Sequence, residues 1–357
     1  MKILMVAPEQ IPVPGSGSVE ICMLAIAKRL AVSHQVTIVS RRGSGLPRTS
    51  RKGNLTIVRV PAGSSLQYIS SVLQYAKGKR YDIIQVDNRP HYMAKVKRLF
   101  PHTPVALFLH SLTFVPRTSA VSASLAKADL IIANSDSLKS NLSRMFPKQA
   151  SKIRRVYLGV DASRFKPAGG SRSSGAFRVL FAGRLVPRKG AGILIKAMGV
   201  VRRTHPGARL TIVGGGKEEY VRKLKSLARE QGVPVRFAGR ISHRRIHHLY
   251  RKADVFVCPS QRHEAFGLVN VEAMASGLPV VASDIGGIKE IVKHGTNGFL
   301  VARYNSPEAH AEWIGMLAGD RELASRLGRQ ARKDAVSRFT WKKTADRLIA
   351  IYKTRKH

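Results

Sequence analysis

The sequence is poor in acids. It has 21 Asp+Glu against 62 Lys+Arg, a formal net charge of +41 over 357 residues. It has only two cysteines, Cys22 and Cys258, which excludes a disulfide scaffold and a cysteine-based zinc site. Aromatic residues make up 6%, few for a surface that stacks nucleic-acid bases. Charges or prolines interrupt every apolar run well before about 18 residues, so no membrane span is expected. The opening stretch MKILMVAPEQ reads as a first β-strand and is too short in apolar residues for a secretory signal. A reducing cytoplasm is the default compartment. No Asp-x-Asp occurs anywhere, and no Gly-Lys-Ser/Thr follows the first strand, so neither a carboxylate metal clamp nor a Walker loop is present. What is present is a hydrophobic fraction of 44%, which excludes a disordered basic tail. The length is enough for about two domains of roughly 150 residues.

The charge calls for an anionic partner or reflects a generally basic surface. Residues 1–165 carry 25 Lys+Arg and 7 Asp+Glu, and residues 166–357 carry 37 and 14, so both halves share the excess. The runs KILMV (2–6), QVTIV (35–39), LTIVRV (55–60), DIIQV (82–86), PVALFL (104–109) and DLIIA (129–133) read as strands. Their nearly continuous apolar character suits a parallel sheet covered on both faces. Helical patterns are clearest at 19–31, 64–77, 119–127 and 135–146. The Gly/Ser-rich stretch 166–178 reads as a linker. Strands then resume at 177–182, 209–213, 233–238, 254–258 and 279–283. Helical stretches cover 189–204, 217–231, 242–252, 267–276 and, with breaks, 306–356. Two successive βαβ arrays predict an α/β protein with two doubly wound, Rossmann-like domains. Ligands of such sheets bind at the carboxyl ends of strands, so the loops there are where chemistry is expected.

Gly15 and Gly17 follow the first strand and precede a helix. Glycines there let backbone N–H groups approach a phosphate at a helix N-terminus, although an ordinary strand–helix turn would look the same. In FAGRLVPRKG (181–190), Arg184 and Lys189 lie between a strand and a helix, where two cations suit a diphosphate. Solvated surface cations are the competing reading. IVGGGKEE (212–219) supplies another glycine turn. In 259–292, Glu264 lies in a loop and Glu272 within the helix opened by Phe266-Gly267-Leu268. A cleft-facing helical carboxylate can accept both hydroxyls of a ribose; capping and surface charge are the alternatives.

Together these segments resemble family-4 retaining glycosyltransferases of the GT-B fold. The matching pieces are the glycine loop ending in Glu20, Leu-Gly-Val-Asp at 158–161, GRLVPRKG (183–190), IVGGG (212–216), PSQRHEAFGLVNVEAMASGLPVVAS (259–283), Gly286-Gly287 and NGFLV (297–301). They keep the family's order over nearly the whole chain. The resemblance implies two Rossmann-like domains facing a central cleft. These would be an acceptor domain at 1–165, a nucleotide-sugar domain at 166–339, and a helix at 340–357 crossing back to the first. It implies a hexosyltransferase-type enzyme acting on a nucleotide-diphosphate sugar, with UDP-sugar favoured, in surface polysaccharide, glycolipid or coat glycan synthesis. By the same resemblance Arg184 and Lys189 hold the diphosphate and Glu272 the ribose. Glu264 and the backbone of Ala265, Phe266, Gly267 and Leu268 hold the sugar and phosphate. Gly15 and Gly17 touch the diphosphate, Arg240 and Ile241 meet the base, and His110 sits near the transferred sugar. Asp87, Asn88 and Arg89, in QVDNRPHY (85–92), are acceptor candidates. The sequence departs from the family where Gly17-Ser18 replaces a Gly-Gly pair and Leu158-Gly159 replaces Asn-Gly.

With no Asp-x-Asp, cations and a helix N-terminus are expected to neutralise the leaving diphosphate, so no metal or other cofactor is expected. Basic clusters at 41–42, 48, 51–52, 77–80 and 95–98 suit an anionic acceptor or the inner face of an anionic membrane. Nucleic-acid binding or DNA modification is the rival that the charge suggests, but no nucleic-acid motif supports it. A sugar-nucleotide-binding protein without turnover is the other rival, and donor hydrolysis would separate it from an enzyme. An epimerase or phosphorylase fits the Glu264–Glu272 segment less well.

Overall fold

In the computed structural model of the chain, residues 1–12, 17–169 and 175–354 are described. They form two compact units, Met1–Gly159 with Trp341–His357, and Val160–Thr340.

The first unit runs β1 (Lys2–Gln10), α1 (Ser18–Leu30), β2 (Gln35–Arg41), β3 (Thr49–Lys52), β4 (Leu55–Val60), α2 (Ser65–Ala76), β5 (Ile83–Asp87), α3 (Pro90–Leu99), β6 (Val105–Leu109), α4 (Ser119–Ala126), β7 (Leu130–Ala133), α5 (Asp136–Met145) and β8 (Ile153–Arg155). The strand order is β3-β4-β2-β1-β5-β6-β7-β8. All neighbours pair parallel except β3 with β4. The central strands β5, β6 and β7 are buried along their whole length, as continuous apolar runs require when helices cover both faces. The chain builds outward from β1 in one direction and from β5 in the other. The β1/β5 boundary is therefore the switch point of the sheet, and the loops after these two strands flank it.

The second unit runs β9 (Arg178–Ala182), α6 (Ala191–Thr204), β10 (Arg209–Val213), α7 (Glu218–Glu230), β11 (Val235–Phe237), α8 (His247–Lys252), β12 (Val255–Cys258), α9 (Leu268–Ala275), β13 (Val280–Ser283), α10 (Ile288–Ile291), β14 (Gly298–Val301), α11 (Pro307–Gly319) and α12 (Arg321–Arg338). Its six strands are all parallel, in the order β11-β10-β9-β12-β13-β14. The switch point lies between β9 and β12. The C-terminal helix α13 (Trp341–Lys353) belongs to the first unit, where it packs against α1 and buries Leu348, Ile351 and Tyr352.

The junction falls at 159/160 rather than the expected 165/166. Backbone pairing explains the shift. Val160 N–H donates to Phe339 O at 2.9 Å. Arg332 donates to Phe165 O at 2.6 Å and Ala162 O at 3.0 Å. Residues 160–165 are thus tied to the second unit before the Gly/Ser-rich stretch begins. α3 and the short strands β3, β8 and β14 are elements beyond those read from the sequence. The regular part of the expected 242–252 helix is confined to α8. Among the described residues no helix is long and apolar enough to cross a membrane. Cys22 and Cys258 are both buried.

Candidate functional site

In the second unit the loops after β9, β10 and β11 stack edge to edge. Gly183 N–H donates to Val213 O, Leu185 N–H to Gly215 O (both 2.9 Å), and Gly214 N–H to Gly239 O (2.8 Å). A Cβ on Gly216 would lie 2.2 Å from Leu185 O, so this turn closes only on glycine. The Arg240 side chain lies against Gly215, while Arg240 is exposed and Ile241 half-buried.

Across the switch point, the loop after β12 meets the loop after β9. Gln261 N–H donates to Arg188 O at 2.8 Å. Lys189 Nζ forms an ion pair with Glu264 Oε2, and Ser260 Oγ donates to the same oxygen at 3.3 Å. Gly287 N–H donates to Glu264 O at 2.8 Å, which fixes the backbone of Glu264 and Ala265 against the Gly286-Gly287 turn. Arg184 is exposed and has no side-chain partner among the described residues. Helices α6 and α9 begin here on the left-handed glycines Gly190 (φ 75°) and Gly267 (φ 92°), with no side-chain cap and no acid in the first turn. α2, α4, α5, α11 and α12 are closed by a Ser, Thr or Asp side chain, whereas α1, α3, α7, α8 and α10, like α6 and α9, have no side-chain cap. The switch point therefore gathers two uncapped helix N-termini, a free guanidinium and a partly paired ammonium, an arrangement suited to an anion.

Ala265 and Phe266 are buried behind this loop, so they can offer backbone rather than side chain. Glu272 is also buried, and its carboxylate is already engaged. His243 Nε2 lies 2.7 Å from Oε1, and Tyr250 O–H donates to Oε2 at 3.1 Å. Arg164 donates to His243 Nδ1 at 3.1 Å. An imidazole that accepts at Nδ1 must carry its proton on Nε2, so His243 is the donor to Glu272. A carboxylate has about four lone-pair sites, which leaves Glu272 capacity for a diol. His243 and Tyr250 belong to none of the motifs read from the sequence. They lie 29 and 22 residues from Glu272, and the only local signal is their place shortly after Arg240-Ile241.

In the first unit, His110 follows β6 and Asp87 ends the adjacent β5. His110 Nε2 lies 3.0 Å from Asp87 Oδ2, and the His110 ring stacks on Phe108 with centroids 4.5 Å apart. Asn88 takes a left-handed φ of 56° and accepts the His110 backbone N–H at 2.8 Å. As acceptor candidates, Asp87 and Asn88 need correction. Asp87 is fully buried with both oxygens taken, and Asn88 is 5% exposed. Arg89 is also engaged, with Glu9 at 3.4 Å and with its guanidinium over the Phe114 ring at 3.6 Å. Gly17 sits immediately before α1, and Gly15 lies outside the described residues.

Glu20, in the first turn of α1, is 6% exposed. Burial raises its carboxyl pKa, and Glu9 and Asp87 push in the same direction. A raised acid favours the folded state while protonated and costs stability as the pH climbs through its folded pKa. Glu20→Gln should therefore raise the melting temperature at neutral pH and converge with wild type in acid. Thermal melts across pH 4–8 check this, and a difference that grows toward acid would refute it.

Known proteins match this chain in sequence and in fold. The family described as Glycosyl transferases group 1 matches residues 164–334, and Glycosyltransferase Family 4 matches residues 19–164. Spore coat protein SA of Bacillus subtilis (strain 168) is 31% identical over 376 residues, covering 99% of each chain. The putative glycosyltransferase YtcC of the same organism is 29% identical over 378 residues, covering 99% of this chain and 92% of that one. Among solved structures, a sucrose-phosphate synthase from Thermosynechococcus elongatus superposes with a TM-score of 0.86 at 24% identity, covering 99% of each chain. Anabaena Alr3699/HepE in complex with UDP gives 0.78 at 24%, covering 99% of this chain and 100% of that one. Two Rossmann-like α/β units of this kind are the fold of the GT-B class. The chain belongs to the glycosyltransferase family of group 1 and family 4, and it is a glycosyltransferase of the GT-B type.

Proposed function

We propose that the protein moves a hexose from a UDP-sugar to an acceptor hydroxyl with retention of configuration and without a metal ion. The observation that carries this is the pair of uncapped helices α6 and α9 meeting Arg184 and Lys189 at the β9/β12 switch point. Solved relatives of the same fold contain UDP or UDP-glucose. Arg184, Lys189 and the α9 N-terminus receive the diphosphate. Glu272 takes the ribose hydroxyls beside His243, and Arg240 and Ile241 flank the base. Glu264 orients Lys189 and, with the backbone of 265–268, the sugar. His110 lies against the transferred sugar.

In the transfer, the bond from the anomeric carbon to the diphosphate breaks and the bond to the acceptor oxygen forms on the same face. The acceptor proton passes to a phosphate oxygen. The charge that develops on the departing diphosphate meets cations and helix N–H groups, already in place before the reaction. The charge of +41 supports an anionic acceptor or work at the inner face of an anionic membrane, at about 1 kcal/mol per basic residue near the surface. The full-length match to a spore coat protein supports a surface or coat glycan as product.

A nucleotide-release screen over UDP-, GDP- and ADP-sugars, with and without EDTA, tests this reading. Release from a UDP-sugar unaffected by EDTA is expected, with the product keeping the donor's anomeric configuration by NMR. Turnover abolished by EDTA and restored by Mg²⁺ would sink metal independence, and an inverted product would sink retention.

A further inference from the structure

We propose that Asp87 is a positioning residue that fixes which nitrogen of His110 carries the proton, with Gln85 and Tyr352 locking Asp87 from behind. The functional side of this rests on His110 lying against the transferred sugar; the geometry does not.

Strands β5 and β6 pair in parallel with Asp87 beside Phe108, so His110 emerges next to the end of β5. Asp87 is 0% exposed. A buried carboxylate only accepts, and both of its oxygens need donors. Gln85 Nε2 donates to Oδ1 at 2.6 Å, and His110 Nε2 faces Oδ2 at 3.0 Å. Gln85 is fully buried as well. With its amide NH₂ turned to the carboxylate, its Oε1 accepts the hydroxyl of Tyr352, which reaches it from α13. Turning the Gln85 amide over would set its oxygen against a negative charge. Burial, with Asp87 adding to it, pushes the Tyr352 phenol well above its ordinary pKa, which keeps it a donor. The charge on Asp87 thus sets the direction of every hydrogen bond in the chain Tyr352, Gln85, Asp87, His110.

The last member must give Asp87 an N–H from Nε2. A neutral imidazole then has its lone pair on Nδ1, and Nδ1 has no partner among the described residues. The ring is held in this pose by Phe108, and its backbone is pinned by Asn88 Oδ1 and by Asn134 Nδ2, the latter at 3.2 Å to His110 O. His110 therefore offers a fixed acceptor. That matches the hydrogen of a sugar hydroxyl and not a phosphate oxygen. Glu20, on α1, also interacts with Asp87 and His110 through its charge, but the His110 Nε2 hydrogen bond goes to Asp87.

The test is ¹⁵N NMR of histidine-labelled full-length protein at about pH 8, where an ordinary imidazole is neutral, with His110 assigned by His110→Gln. Wild type should show a protonated Nε2 and an unprotonated Nδ1. In Asp87→Asn, Gln85 still needs an acceptor, so the introduced amide must turn its NH₂ toward His110. The ring should then accept at Nε2 and carry its proton on Nδ1, and kcat should fall roughly 100-fold. Tyr352→Phe should keep the wild-type tautomer and lose less than about ten-fold. A wild-type ring protonated on Nδ1, or on both nitrogens, overturns the proposal whether or not Asp87→Asn folds. A flipped tautomer with undiminished turnover overturns its functional half. Absence of any sugar transfer by wild type would instead count against the proposed function and leave the spectrum to decide the geometry.

Discussion

Replacing Lys189 with alanine should cut kcat/KM for the donor roughly ten- to 150-fold, the rate equivalent of about 1.5–3 kcal/mol for a lost charge-assisted hydrogen bond. Arg184→Ala should fall in the same range. The two should differ in stability. Arg184 is exposed with no side-chain partner among the described residues, so its removal should leave the melting temperature unchanged. Lys189 pairs with Glu264, and both side chains are only 19% exposed, so its removal strands a partly buried carboxylate. Adding Glu264→Gln to Lys189→Ala should restore the melting temperature but not the activity. Steady-state kinetics and thermal melts on the four proteins check this. Wild-type kcat/KM in both single variants would remove these cations from the phosphate site.

Gly190→Ala is expected to be strongly destabilising to the second unit. Its φ of 75° disfavours a side chain, and a Cβ would lie 1.8 Å from Pro259 O, inside the backbone that carries the other loop of the site. Strain and collision together should cost about 3–5 kcal/mol, on the order of 10 °C in melting temperature for a domain of this size. Gly207→Ala is the control, because nothing lies within 4 Å of its Cβ position. Calorimetry should show a lowered transition for Gly190→Ala and an unchanged one for Gly207→Ala. Equal transitions would mean that the two loops are not in van der Waals contact.

The parallel sheets were legible because strands such as IIQV and VALFL are apolar on both faces, a pattern that only a doubly covered sheet explains. The edge strands β3 and β8, TSRK and IRR, carry no such signal, since an edge need not be apolar. Helix α3 was hidden by its start. QVDNRPHY reads as a strand end rich in polar side chains, yet Pro90 is the first residue of the helix, a position where a missing N–H costs nothing. The donor loops were legible from glycines and cations at strand ends. Their partnerships were not. Lys189 and Glu264 are 75 residues apart and meet only because β9 and β12 are neighbours across the switch point. Asp87 looked like an acceptor contact for the same reason. Its place beside His110, 23 residues on, depends on the β5/β6 register, which the sequence leaves open.

The central claim, that the β9/β12 switch point is a nucleotide-diphosphate site, is tested most directly by calorimetric titration of UDP into the full chain. Wild type should bind UDP in the presence of EDTA, and Arg184→Ala/Lys189→Ala, still folded, should bind it roughly 100-fold more weakly. Folded wild type that does not bind UDP, or a double variant that binds it equally well, would contradict the claim.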